Sequence, residues 1–381
     1  MGQTGYGRVL VPLLVVMLAG TFSACRSADE PPARSAAPPT APSLPPAGDV
    51  WPDAFFETPA RISGVRAVRP VAMLGEREVL LADPSSTHPV LVGYDPRTRA
   101  HRVLARVPEG PAGHRIAKAA SGAGRVAWMA NVRGDGDPPR IQIWVMPVSG
   151  GAPELLTEFP GQGFSPSALD GFEIADGHVV WWSGALVHRV PISGGAVRRV
   201  KTEGYDYMSS WPWAYDKEDG LLNLATGERR AVAAMDGGSR RCGAEWCVSE
   251  LTPKAHELTR VVTQRVDGSG RTLTPGVHME EALVRDRFGF FDPPFVQGGA
   301  FMVTTMGRPV GTLGTATVLY DRCTGRSALL DPSASAATDG RPEQIHLGGS
   351  APAGPLLYWK SGGDRYTVLD LSRVAADGCS S

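Results

Sequence analysis

Apolar and polar positions alternate along this chain in short runs, and the runs are broken by glycine-rich turns. Ile143-Trp144-Val145-Met146-Pro147-Val148-Ser149-Gly150-Gly151-Ala152 and Val187-His188-Arg189-Val190-Pro191-Ile192-Ser193-Gly194-Gly195-Ala196 share a Pro-apolar-Ser-Gly-Gly-Ala pattern at an offset of 44 residues. A period of two predicts half-buried strands, and a Gly-Gly pair suits the positive φ angles of a hairpin turn. Each copy continues into a second strand, at 154–157 and 197–200, and follows another at 124–129 and 177–182.

Looser copies extend in both directions. Strands are predicted at 78–81, 91–95 and 103–104, and again at 208–215, 220–224 and 230–232. Others fall at 246–248 and 260–262, at 301–303 and 316–321, and at 356–359 and 366–370. That gives seven units of roughly 40–50 residues, and no stretch carries the period of a long amphipathic helix. Short strands at this repeat predict an all-β fold: a β-propeller of seven four-stranded blades, with six or eight also compatible. A two-sheet sandwich does not account for a repeat of this length. The extra residues Val132 to Pro139 in the second unit are expected to form a longer surface loop.

The amino terminus reads differently. Arg8 is the only charge among the first 25 residues, and the apolar run from Val9 to Ala19 ends in small residues and Cys25. A charged stub, a short apolar stretch and a small-residue cleavage site define a secretory signal, here residues 1–24. The run is shorter than the ~20 residues that span a bilayer. Phe22-Ser23-Ala24-Cys25 resembles the bacterial lipobox, which implies that Cys25 is lipidated and anchors the chain to a membrane. Residues 26–50 hold seven prolines and few bulky apolar side chains. Such a segment cannot bury enough surface to fold. As a tether, 25–50 would extend on the order of 75 Å at ~3.1 Å per residue. The propeller is then assigned to 51–381.

Formal net charge is −1, so no electrostatic argument exists for binding nucleic acid. Five cysteines occur, and setting Cys25 aside leaves Cys242, Cys247, Cys323 and Cys379. An even remainder in an exported chain implies two disulfides, for which three pairings exist. Cys242–Cys247 with Cys323–Cys379 is favoured. The first pair brackets Gly243-Ala244-Glu245-Trp246, which must then turn, and the second would pin the carboxyl terminus to the body. No histidine stands at zinc-ligand spacing from these cysteines, and no metal or cofactor is expected.

The Pro-Val-Ser-Gly-Gly turn resembles that of the TolB-like and WD-repeat-like propellers. Trp211-Pro212-Trp213, Leu224-Ala225-Thr226-Gly227-Glu228, Arg241-Cys242-Gly243 and Arg265-Val266-Asp267-Gly268-Ser269-Gly270 are similar to actinobacterial exported proteins of that group. The resemblance covers about residues 50–375. It implies a propeller held at the outer face of the cytoplasmic membrane, and it implies no reaction.

No catalytic residue is assigned. The chain lacks G-x-S-x-G, H-E-x-x-H and G-x-x-x-x-G-K-[ST]. Tyr205, Tyr207, Trp211, Trp213 and Tyr215 crowd one eleven-residue stretch. Aromatic side chains with polar tips are enriched at binding surfaces, so these five are the candidate binding residues. Blade packing predicts the same alternation. Tyr205, Tyr207 and Trp211 are expected at one mouth of the central channel. The resulting expectation is a membrane-anchored binding or scaffolding module for an envelope protein or glycan. The alternative is a glycan-active hydrolase or lyase whose site is assembled from several blades.

Overall fold

The computed structural model describes residues 44–83, 89–107, 114–132, 140–161, 169–216, 220–238, 240–251, 260–274, 282–292, 317–330, 345–348, 356–361, 363–375 and Cys379. All of them belong to one compact unit, 41–381. The signal segment, Cys25, the tether as far as residue 43, most of the 132–139 loop and the strand expected at 301–303 lie outside the described residues.

The protein is a seven-bladed β-propeller. Blade 1 spans 69–106, blade 2 spans 114–160 and blade 7 spans 346–370. Blade 3 contains Gly171–Ala175, His178–Ser183, Leu186–Pro191 and Arg198–Val200. Blade 4 contains Tyr207–Ser210, Trp213–Tyr215, Gly220–Asn223 and Arg229–Ala231. Blade 5 contains Arg240–Cys242, Trp246–Leu251, Arg260–Arg265 and Thr272–Thr274. Blade 6 shows Phe288–Phe291, Thr317–Asp321 and Arg326–Leu330 among the described residues. All strand pairs within the blades are antiparallel. Blade 7 is completed by Phe55–Pro59, which pairs with Arg365–Asp370 and so joins the two ends of the folded chain.

Seven apolar clusters fill the seven seams between blades, because successive strand side chains point to opposite faces. Trp181 packs on blade 2 beside Met129 and Ile143, while its neighbour Trp182 packs on blade 4 beside Met208. Leu80 meets Trp128 across the seam of blades 1 and 2. Trp213 meets Cys242 and Cys247 between blades 4 and 5, and Val248 meets Phe291 between blades 5 and 6. Leu319 meets Trp359 between blades 6 and 7. Tyr358 and Val368 meet Met73 and Val79, which returns the ring to blade 1.

The 44-residue repeat is visible in the backbone itself. Gly150 and Gly151 adopt φ of 93° and 134°, and Gly194 and Gly195 adopt 86° and 132°. Those angles are open to glycine and costly for other residues. Both pairs of cysteines are bonded, Cys242 to Cys247 and Cys323 to Cys379. Cys242 lies directly opposite Cys247 in the first two strands of blade 5, so the chain does turn between them.

Packing begins within the segment that composition groups with the tether. Leu329 donates its backbone N–H to Pro45 at 2.8 Å, and the short helix Ala47–Val50 buries Ala47 in the seam of blades 6 and 7.

Candidate functional site

One hydrogen bond recurs around the ring and marks equivalent turns. In each of five blades, the residue after the third strand donates its N–H to the carbonyl just before the second strand. The pairs are Val148 to Gly124 (3.0 Å), Ile192 to Gly177 (3.0 Å), Leu224 to Pro212 (2.7 Å), Val266 to Glu245 (2.9 Å) and Arg322 to Arg287 (3.1 Å). Phe288–Phe291 is therefore the second strand of blade 6, and Arg285-Asp286-Arg287 is its entry turn. Arg285 and Asp286 take positive φ there, 56° and 53°.

These turns from blades 4, 5 and 6, with Glu173 on the first strand of blade 3, enclose a cleft of about 190 Å³. Blade 4 contributes Ser209, Ser210 and Trp211, blade 5 contributes Gly243, and blade 6 contributes Leu283, Arg285 and Asp286. Pairing in blade 4 skips a residue between Met208 and Ser210, which leaves Ser209 as the bulged position. A bulge re-aims a side chain out of the regular alternation. Ser209 borders the cleft at 3% exposure, and its buried Oγ has no hydrogen-bond partner among the described residues.

Carboxylates hold the rim across the seams. Glu173 Oε1 accepts the Trp211 backbone N–H at 2.5 Å, and Asp176 Oδ2 accepts its indole N–H at 2.7 Å. From the other side, Asp286 accepts the backbone N–H groups of Ala244 (3.1 Å), Glu245 (3.2 Å) and Trp246 (3.2 Å). Burial pushes the Glu173 carboxyl up to about 7, with the nearby Asp176 charge adding to the shift. Burial likewise raises Asp286 to about 6, against the opposing pull of its three N–H donors. Glu173 therefore takes up a proton around neutral pH and Asp286 in the mildly acid range. No group of three or more His, Cys, Asp or Glu side chains among the described residues is placed to hold a metal ion.

The five aromatic residues are divided between two seams. Trp211 (8% exposed) packs with Val180 and Trp182 between blades 3 and 4, and half-buried Tyr205 packs against that cluster. Trp213 (8%) and Tyr215 (5%) pack between blades 4 and 5, with half-buried Tyr207 stacked on Tyr215 at 5.4 Å. Trp211 alone among the five borders the cleft. Arg230 lies over the Trp213 ring at 4.3 Å, and Arg229 over Tyr205 at 5.9 Å.

Glu173, Ser209 and Asp286 carry no local motif. Each reaches the cleft only because blades distant in sequence meet there. A readable trace is Ser209-Ser210-Trp211-Pro212, two polar residues where a strand would place one inward and one outward.

No family model matches the chain, and no curated protein matches it. Similar solved structures include TolB from Acinetobacter baumannii, at 12% identity over 54% of this chain and 53% of that one, with a TM-score of 0.33. The chain thus spans about half the length of TolB. The WD40 domain of Pan2 from Neurospora crassa is 9% identical over 79% of this chain and 88% of that one, with a TM-score of 0.41. A prolyl endopeptidase is 13% identical over 78% of this chain and 47% of that one, with a TM-score of 0.45. TolB and WD40 β-propellers are therefore among its structural neighbours. At these scores the assignment of the fold rests on the blades themselves, and no activity is carried over.

Proposed function

We propose that the chain is an exported propeller, lipid-anchored at Cys25 on the outer face of the cytoplasmic membrane. There it serves as a binding or scaffolding module for an envelope protein or glycan. The observation that carries the binding reading is Ser209. Its buried hydroxyl has no hydrogen-bond partner among the described residues, and it stands at a bulge beside a cleft lined by four successive blades. A polar group of a ligand would complete it.

One observation favours the glycan-hydrolase or lyase reading: two carboxyl groups with raised pKa border the same cleft. Against it, both are engaged by backbone N–H groups and act in holding the rim.

The test is affinity capture from membranes with wild type, Cys25→Ala and Ser209→Gln. A partner or glycan held by wild type and Cys25→Ala, and lost with Ser209→Gln at unchanged melting temperature, supports the reading. Glycan turnover that Glu173→Gln abolishes would replace it with the enzyme. Sedimentation of Cys25→Ala with membranes after a high-salt wash would overturn the anchor.

A further inference from the structure

A second cavity, of about 350 Å³, lies between the entry turn of blade 6 and the segment that follows blade 7. Four arginines line it: Arg285 and Arg287 from the turn, Arg322 from the end of the third strand of blade 6, and Arg373 from 371–375. Two of these are neutralised within the protein. Arg287 pairs with the fully buried Asp321 through two bonds of 2.8 Å, and Arg373 lies 3.1 Å from the equally buried Asp370. Arg287 also donates to the Val374 and Ala375 carbonyls, which fixes the far wall.

The other two guanidinium groups have no carboxylate partner among the described residues. Arg322 donates Nε–H to the Asp286 carbonyl at 2.8 Å, and its guanidinium lies 4.0 Å from the centroid of the Trp246 ring. That bond and the ring contact hold the guanidinium in place, and no hydrogen bond engages its terminal amino groups among the described residues. Arg285 is exposed at the head of the turn. The Asp286 carboxylate, the nearest acid in sequence, is committed to the turn of blade 5. Burial pushes the Arg322 guanidinium below its ordinary value; the nearby Asp286 carboxylate opposes that shift and the charge of Arg265 adds to it.

We infer that this cavity is an oxyanion site for a phosphate-type dianion, gripped by Arg285 and Arg322. Guanidinium groups bind phosphate through paired N–H donors, and two cations that form no ion pair among the described residues match a dianion. The charge excess and the fixed orientation of Arg322 both point there. The inference is independent of the anchor and of Ser209; Arg285 borders both cavities.

Isothermal titration of the full chain in detergent with inorganic phosphate tests it. Saturable binding that weakens as NaCl rises is expected, with an affinity about tenfold lower in Arg285→Gln at unchanged melting temperature. Arg322→Gln reads the same cavity a second time, its fold checked in the same way. Glycerol 3-phosphate and vesicles containing phosphatidic acid distinguish a soluble phosphomonoester from a lipid headgroup. Absence of phosphate binding, or binding unchanged in both folded variants, overturns the inference. Acetate binding as tightly as phosphate overturns the dianion assignment. None of these measurements involves an envelope partner, so their failure is separable from failure of the proposed function.

Discussion

The carboxylate of Asp286 accepts the backbone N–H of Trp246 at 3.2 Å, across the seam between blades 6 and 5. The same group takes Ala244 and Glu245, so one side chain satisfies three consecutive donors of a turn. Gly243 makes room for it, since a Cβ there would overlap Asp286 Oδ1. Asp286→Ala strands those donors at a half-buried rim and is expected to cost about 2 kcal/mol. Gly243→Ala should cost a similar amount by displacing the carboxylate. The two together should cost clearly less than their sum, because both remove one interaction. Urea denaturation of the four proteins checks the cycle; simple additivity would refute the shared cause.

Glu173 predicts a pH dependence. Its carboxyl titrates near 7 in the folded chain and near the ordinary 4.5 when unfolded. Between those values the folded state holds a proton that the unfolded state has released. Stability from this group is therefore lost as pH rises through that window. Glu173→Gln keeps an acceptor for Trp211 and removes the titration. It is expected to be more stable than wild type at pH 8, by on the order of 3 kcal/mol, and close to it near pH 4.5. Melting curves across that range would show a gap that closes on acidification; a constant gap would contradict the assignment.

The repeat was legible because its second and third strands are apolar and end in turns of fixed chemistry. Trp128, Trp181 and Trp182 stand at such positions, and all are buried. The first strands were harder to read. Gly171–Ala175 has only Phe172 and Ile174 as large apolar residues, set between glycine, glutamate and alanine, and Tyr207–Ser210 merges with the next strand in a continuous aromatic pattern. These strands line the cleft, so the site was written in the least periodic part of each unit. The aromatic stretch 205–215 reads both as a candidate binding surface and as blade packing, because either produces the same alternation. In the fold, strand alternation sends Trp213 and Tyr215 to one seam while the turn sends Trp211 to the other. Glu173 and Asp286 approach one cleft from blades 3 and 6, and no local spacing encodes that.

The two disulfides should differ in weight. Cys242–Cys247 closes a loop with a sequence separation of 5, whereas Cys323–Cys379 closes one of 56. Loop-closure entropy gives about 2 kcal/mol for the short loop and about 4 kcal/mol for the long one. Cys323→Ser with Cys379→Ser should therefore lower the denaturation midpoint more than Cys242→Ser with Cys247→Ser. The reverse order would show that burial of the short bridge between blades 4 and 5 outweighs chain entropy.

Closure of the ring supplies the last prediction. Phe55–Pro59 forms the outer strand of blade 7, so the two ends of the folded chain are joined by backbone hydrogen bonds and not by a covalent link. Glu57 and Arg365 pair across it at 2.6 Å, but that pair is exposed and contributes at most about 1 kcal/mol. The larger contribution is apolar. Phe55 packs edge-on against Trp359 at 6.2 Å, and Phe56 packs on the cluster of Tyr358 and Val368 that joins blade 7 to blade 1. Removing residues 1–60 leaves the edge of Arg365–Asp370 unpaired and opens that seam. Every blade depends on two neighbours, so the loss should spread and not remain local. The truncated chain is expected to lose its cooperative thermal transition and to aggregate through the exposed strand edge. A chain that begins at residue 44 retains the closing strand and the helix Ala47–Val50, and should melt like the full protein. Equal melting of all three chains would mean that the ring does not need its closing strand.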